Sequence, residues 1–399
     1  MGTVTAGLAD ALARWATELE PSVDDLALAR RSLLDTVGVT WAAREDPLAP
    51  LFARLPEAGR WAALAHVLDY DDLHLPSTTH ISAVCVPVAL ALAADPRAAE
   101  RAYLAGAGVM ARLGTALGWR HYSSGWHATC TAGAPAAAVT AAVARGLDAD
   151  ATARAIALAV PGAGGVQRAF GTAAKSLQVA FAAEAGIRAT ALAEAGAGAD
   201  PSALEQWVAL VGGDPEASTP DAPAVPGGLA IKPFPCCYAL QRPIAAVQEL
   251  ETPMVTDGIC HIRVRTPAAS LAPLIHHTPK TGLEGKFSLE YGIAAALLDG
   301  APGFESFSDA AVRRPDAERL MEMVEVAATD GGDHLLTGEV YIEIELEDGA
   351  GVRAALALPP GAPERPVTDG ELRAKLDLCG AGDLAELSWE SAAEFLRSL

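Results

Sequence analysis

The sequence predicts a mainly α fold: a large helical domain built from both chain ends, with a smaller α+β lid inserted between them. Three observations carry this. Residues 1 to about 215 are alanine-rich blocks of helical period, punctuated by Gly, Pro and Asp. Residues 212–228, GGDPEASTPDAPAVPGG, form the densest Pro/Gly stretch of the chain. After them the texture changes to alternating apolar and polar residues, the signature of half-buried strands. The boundaries follow: 1–228 for the first part of the helical domain, 229–360 for the lid, and 361–399 for C-terminal helices that return to the helical domain.

The elements read as follows. MGTVTAGLADALARWATELE is an amphipathic helix; it has no basic n-region before an apolar core, so it is not read as a signal. PSVDDLALARRSLLDTVGVTWAA is a capped helix with an apolar stripe, and GLDADATARAIALA is a turn and cap opening a new antiparallel helix. ICHIRVRTP and VYIEIELEDGAGVRAALALPP alternate as strands do, while FSLEYGIAAALLDG and PDAERLMEMVEVAA return to helical period. The tail, TDGELRAKL onward, is helical again.

Composition bounds the function. The chain has 399 residues, is 51% hydrophobic and only 20% charged, and carries a net charge of −21. Such a field repels nucleic acid and anionic membranes. A low charge fraction also implies a small surface or one shared with a partner. No run of apolar residues is long enough for a membrane span. Six cysteines at irregular spacing, with no CxxC, read for the most part as reduced buried thiols of a cytoplasmic protein. No GxGxxG fingerprint follows a strand, and there is no P-loop or GxSxG elbow, which argues against nucleotide chemistry.

Five polar constellations stand out against the apolar background. AHVLDYDDLHLPSTTH packs Asp69, Asp71, Asp72, His66, His74 and His80 into sixteen positions. On a helix, His66, Asp69 and Tyr70 would share a face. Such a cluster is a metal site, acid/base apparatus or a satisfied polar knot. No second acidic cluster completes a ligand set, so metal is the weakest of the three. SSGWHATCTAG places His127 at the start of a small-residue helix, either as a site group or as a core histidine. FGTAAKSLQVAF carries Lys175 alone in an uncharged helix, where it meets an anion or snorkels to water. IKPFPCCYALQRP holds Lys232 in a rigid Pro-rich turn, over a cleft or merely in a stiff linker. GKFSLEYG offers Lys286 as a surface residue, Ser288 as a cap, and Tyr291.

In this order these stretches resemble the MmgE/PrpD family, which includes 2-methylcitrate dehydratase, cis-aconitate decarboxylase and iminodisuccinate epimerase. AHVLDYDD looks like its His-Ala-Leu-Asp-Phe-Asp-Asp motif. THISAVCVPVALALA, GWHATCTAG, GTAAKSLQ, KPFPCC, KFSLEYGIAAALLDG and PPGAPERPVTDGELRAKL follow in family order across nearly the whole chain. The resemblance implies a homodimer, with a hetero-complex as the alternative, no cofactor and no metal, and a site in the cleft between helical domain and lid. It implies His127, His80, Lys175, Asp71 and Tyr291 as catalytic groups. Lys232, Asp69, Asp72, His66, Cys237, Gln241 and Arg242 are implied as contacts for a small anionic substrate. The family's histidine after the Lys-Pro turn is missing here, where Gln241 and Arg242 stand. The implied activity is a cofactor-independent lyase that dehydrates or decarboxylates a small polycarboxylate. The alternatives are a different elimination, cyclisation or isomerisation in specialised metabolism, or a non-catalytic subunit.

Overall fold

The computed structural model describes residues 7–217, 223–250, 256–330, 332 and 334–399. The chain is mainly α with a smaller α+β part. One body is formed by α1 (Leu8–Glu18), α2 (Val23–Ala42), α3 (Ala49–Phe52), α4 (Glu57–Val67), α5 (Ile81–Leu92), α6 (Pro96–Ser123), α7 (Ala128–Ala144), α8 (Ala149–Ala159), α9 (Ala173–Glu194) and α10 (Ala203–Leu210). Its centre is α7, whose every residue is buried. Alanine allows that. A helix with such short side chains lets its neighbours come close, and a Cβ on Gly186 of α9 would sit 2.4 Å from the Ala138 backbone nitrogen of α7. Helix starts follow the caps read from sequence: Ser22 and Asp25 form a reciprocal capping box at α2, and Asp148 caps α8.

The second body holds α11 (Tyr238–Gln248), β1 (Ile259–Pro267), α12 (Ala268–Leu271), α13 (Gly282–Gly285), α14 (Leu289–Asp299), α15 (Asp309–Val312), α16 (Pro315–Met323), β2 (Val324–Thr329), β3 (Val340–Leu346) and β4 (Gly351–Leu356). Its sheet runs in the order β2-β1-β3-β4, with β2 parallel and β3 antiparallel to β1. Alternation sorts the faces. Ile262, Val264, Ile342 and Ile344 point into the core, while Arg263 and Glu343 form an ion pair on the open face. One reading is corrected here. PDAERLMEMVEVAA is not helical throughout; after Met323 it becomes β2, because Val324 and Val326 fill register positions opposite Ile262 and Val264.

The tail helices α17 (Asp369–Leu378) and α18 (Trp389–Arg397) pack on the first body: Leu372, Leu376, Trp389 and Leu396 join the same apolar core as Leu33 and Val37. The second body has a core of its own, from Phe234 to Ile344, joined by Tyr122, Ala128 and Phe170 of the helical body. The Pro/Gly stretch 212–228 lies against the helical body wherever it is described. Ala224 donates to Asp25 Oδ1 at 3.0 Å and accepts from Arg112 at 2.9 Å. Residues 218–222 fall outside the described residues.

Candidate active site

The acidic stretch does not lie on one helix face. α4 ends at Val67, and Asp69 adopts a left-handed backbone conformation, φ +53°. A non-glycine residue holds that conformation at a cost of about 1 kcal/mol or more, so its surroundings must compensate. They do so with buried cations. Lys286 donates to the Leu68 carbonyl at 2.5 Å, Lys232 to that of Asp69 at 2.7 Å, and Lys375 to that of Tyr70 at 2.7 Å. Further on, Leu73 pairs with Ala230, and His80 reaches the N-cap position of α5, where its N–H donates to Thr129 Oγ1 at 3.1 Å. His127 occupies the equivalent position at α7. Two helix N-termini thus present two imidazoles, at ends whose partial positive charge disfavours imidazolium.

The ionic network is tight. Asp71 Oδ2 lies 2.7 Å from His66 Nδ1 and 3.1 Å from His80 Nδ1. Lys175 Nζ lies 2.6 Å from His66 Nε2 and 3.1 Å from Asp69 Oδ2. Lys232 Nζ, with no exposed surface, sits 2.6 Å from Asp69 Oδ1 and 3.9 Å from Asp71 Oδ1. Burial would push both aspartates up. For Asp69, Lys175 and Lys232 more than cancel this, and for Asp71 the facing His66 and His80 do, so both carboxyls are held well below the usual range. Burial also favours neutral imidazoles: it takes His66 down to about 4, lowers His80, and, with help from neighbouring His66 and Lys175, puts His127 well below its ordinary value. Lys232 is raised; burial opposes its charge, but Asp69 and Asp71 outweigh that. With Lys175 donating to Nε2, the remaining His66 proton belongs on Nδ1, toward Asp71.

His80, His127, Lys175, Asp69 and Cys237 line one small cavity of about 20 Å³, together with Tyr122, Phe170, Tyr238 and Phe287. That is room for roughly one water. His127 Nδ1 lies 3.3 Å from Gln178 Oε1 and 3.2 Å from Cys130 Sγ. His66 stands between the two other rings, its centroid 4.7 Å from that of His80 and 5.6 Å from that of His127. A second, larger cleft of about 890 Å³ lies on the other side of a thin wall. Leu68, Gly171 and Lys286 face the cleft, and their chain neighbours Asp69, Phe170 and Phe287 face the cavity.

Of the four groups expected to converge, His80, His127 and Lys175 line the cavity, beside Asp69, expected as a substrate contact. Asp71 and His66 stand directly behind the cavity. Lys232 was expected at a solvent-accessible cleft; it is instead fully buried beneath Asp69 and holds that carboxylate, not the cavity wall. Asp72 points away, accepting from the Ser82 N–H at 3.2 Å and from its hydroxyl, and burial raises its carboxyl to about 7. Tyr291 is apart from the cavity: its hydroxyl donates to the Ser306 carbonyl inside the lid. Gln241 braces its own turn, its amide spent on Phe234 and Cys236. Arg242 holds the connection before β3 through the carbonyls of Gly338, at 2.8 Å, and Leu336, and reaches that of Ala357 just after β4. These three are framework, because each one's polar atoms are already satisfied within the lid. Lys286, read as a surface residue, is 5% exposed, and burial brings its ammonium down to about 8. Thr129, Phe170, Phe287 and Lys375 were missed. Only the KF of GKFSLEY hinted at Phe287; burial of Lys375 has no sequence signal.

His66, Asp71 and His80 put donor atoms within 4.8 Å of one another, as a metal site would. Their donor atoms are directed at each other, and the Lys175 and Lys232 ammonium groups stand 2.6 and 3.9 Å from two of the three residues. That surrounding suits a proton network better than a divalent cation.

Comparison with known proteins agrees with this architecture. The pattern of the MmgE/PrpD N-terminal domain matches residues 58–211, and that of the MmgE/PrpD C-terminal domain matches residues 234–397. A cis-aconitate decarboxylase-like protein, oryM of Aspergillus oryzae, is 25% identical over 439 aligned positions, covering 94% of this chain and 90% of that protein. The chain belongs to the MmgE/PrpD family.

Proposed function

We propose that the protein is a cofactor-independent lyase that dehydrates or decarboxylates a small polycarboxylate by moving a proton at the carbon beside a carboxylate. The observation that carries this is the pairing, in one small cavity, of two neutral imidazoles with a buried ammonium: His80, His127 and Lys175. Such a C–H is weakly acidic. It needs a positioned base and a positive group for the charge that develops on the carboxylate. His80, held by Asp71, takes the proton on its free Nε2. The C–H electron pair becomes the new double bond, and the leaving hydroxide departs as water with a proton from Lys175. In decarboxylation the C–C bond to the departing CO2 supplies the electron pair instead, and the Lys175 ammonium returns a proton to the carbanion. Lys175 in either case faces the enediolate. Asp69 holds the Lys175 ammonium in place at 3.1 Å, and Lys232 in turn holds Asp69.

A space of about 20 Å³ is too small for a polycarboxylate, so turnover requires the site to widen. The named activity of oryM favours decarboxylation among the family's reactions. A different elimination or isomerisation is favoured by one observation: with Gln241 braced in its turn, the imidazoles lining the cavity, among the described residues, are His80 and His127 alone. We further propose a homodimer. Phe181 and Leu192, 55% and 49% exposed, lie three turns apart on one face of α9 and would be covered by it. No described helix is long and apolar enough to cross a membrane.

Proton NMR in D2O tests the reading. Wild-type protein is incubated with cis-aconitate, 2-methylcitrate and a panel of di- and tricarboxylates. Exchange or loss of the proton beside a carboxylate is expected for at least one acid. His127→Ala and His80→Ala should each slow it by about a hundredfold or more, with little change in melting temperature. No exchange in any acid, or full activity in both variants, would sink it.

A further inference from the structure

We propose that Lys286 is a positioning residue: from the lid it sets the path of the loop that presents Asp69 and Asp71, so that lid placement and ordering of the acid–imidazole array are one event. The inference rests on the functional reading above for what the array does, but not for the contact itself.

Three consecutive carbonyls, Leu68, Asp69 and Tyr70, accept from three ammonium groups that come from widely separated positions in the chain. Successive carbonyls of a helix all point along its axis. Here they diverge, and the left-handed turn at Asp69 is what makes them do so. Two of the three lysines have carboxylate partners as well: Lys232 has Asp69 at 2.6 Å, and Lys375 has Asp35 at 2.6 Å. Lys286 has none within 4.0 Å among the described residues. Its ammonium, at the edge of the larger cleft and 5.9 Å from the Phe307 ring centroid, has the Leu68 carbonyl as its hydrogen-bond acceptor, with Asp69 and Asp46 favouring its charge from further off, and a charge is not buried cheaply. A residue serving packing alone would be apolar at that place.

The same residue reaches the cavity in two other ways. Its carbonyl accepts from the Cys237 N–H at 3.1 Å, and its chain neighbour Phe287 stacks on Phe170 at 5.0 Å in the cavity wall. Lys286 therefore joins the loop, the Cys237 turn and the aromatic wall at one point. Loss of its side-chain bond frees the Leu68 carbonyl to rotate. Asp69 can then relax to φ below zero, which carries its carboxylate off Lys175.

The test compares wild type with Lys286→Met, Lys286→Arg and Lys286→Gln. Hydrogen exchange is followed for peptides spanning 66–74 and 289–299, and tricarballylate, an unreactive tricarboxylate, is the binding probe in calorimetry. In Lys286→Met the 66–74 amides should exchange about tenfold faster while those of α14 do not. Tricarballylate should bind about tenfold more weakly, as when the competent loop is populated one time in ten. Lys286→Arg, which can still donate, should recover most of both effects, and this recovery separates positioning from packing. If Lys286→Met does not fold, Lys286→Gln, with a shorter donor, gives the comparison. Unchanged exchange at 66–74, equal loosening of α14, or no recovery in Lys286→Arg overturns the proposal. The exchange comparison needs no ligand, so it decides the matter even if wild type ignores the tricarboxylate, a result that would count against the functional reading instead.

Discussion

Replacing Lys375 with Met should destabilise the protein by about 3–5 kcal/mol, the usual cost of removing one partner from a buried ion pair. The geometry sets this figure. Lys375 Nζ lies 2.6 Å from Asp35 Oδ1, and the two side chains are only 5% and 0% exposed. The same ammonium donates to the Tyr70 carbonyl and lies 3.9 Å from the Tyr70 ring centroid. Met fills the space but leaves Asp35 with no cation within 4.0 Å among the described residues, Lys232 acting on it only from further off. Burial already raises the Asp35 carboxyl, with Lys375 opposing the rise. Without the lysine, Asp35 takes up a proton more readily, which limits the loss and makes it smaller in acid. At about 2.1 cal/mol/K per residue, 399 residues give an unfolding entropy near 0.8 kcal/mol/K, so 4 kcal/mol lowers the melting temperature by roughly 5 °C. Calorimetry of Lys375→Met, Asp35→Leu and the double variant forms a cycle. The double variant should regain most of the loss, since it buries no unpaired charge. A loss below about 1 kcal/mol in Lys375→Met, or a double variant as unstable as both singles added, would refute the argument.

Stability should fall as pH drops from 6.5 toward 4. His66 and His74 are buried and their values are lowered from 6.5 to about 4, so the unfolded chain binds protons there that the native chain does not, worth on the order of 3 kcal/mol each over the window. Asp72, raised by burial to about 7, works the other way; Asp72→Asn should therefore steepen the acid loss, and melts that are flat between pH 4 and 7 in both proteins would contradict this. Dialysis against EDTA should leave turnover and melting temperature unchanged, since the His66–Asp71–His80 donors serve one another; a stoichiometric metal signal that leaves together with activity would show otherwise.

The elements legible in the sequence were those whose pattern is local. Capping residues announced α2 and α8, and strict alternation announced β1 and the β3–β4 hairpin. β2 was not visible, because its six residues follow α16 without a break and too few alternate to set a period. Residue types on a motif brought His80, His127, Lys175 and Asp69 forward, and the structure sets these four around one cavity. Motif reasoning does not report burial or direction. It could not tell that Lys232 supports Asp69 from beneath, that Tyr291 and Arg242 spend their polar atoms inside the lid, or that Lys286 and Lys375 are interior. A lysine looks the same in sequence whether its ammonium meets water or a carbonyl.

The three ammonium groups on the Leu68–Tyr70 carbonyls also fix when the site can come into being. They come from positions 163, 218 and 305 residues further along the chain. During synthesis α4 and the loop after it are made long before any of these cations. A chain that ends before Lys375 carries His66, His80 and His127 but lacks one of the three ammonium groups that hold the loop, so the arrangement described here belongs to the chain that reaches Lys375.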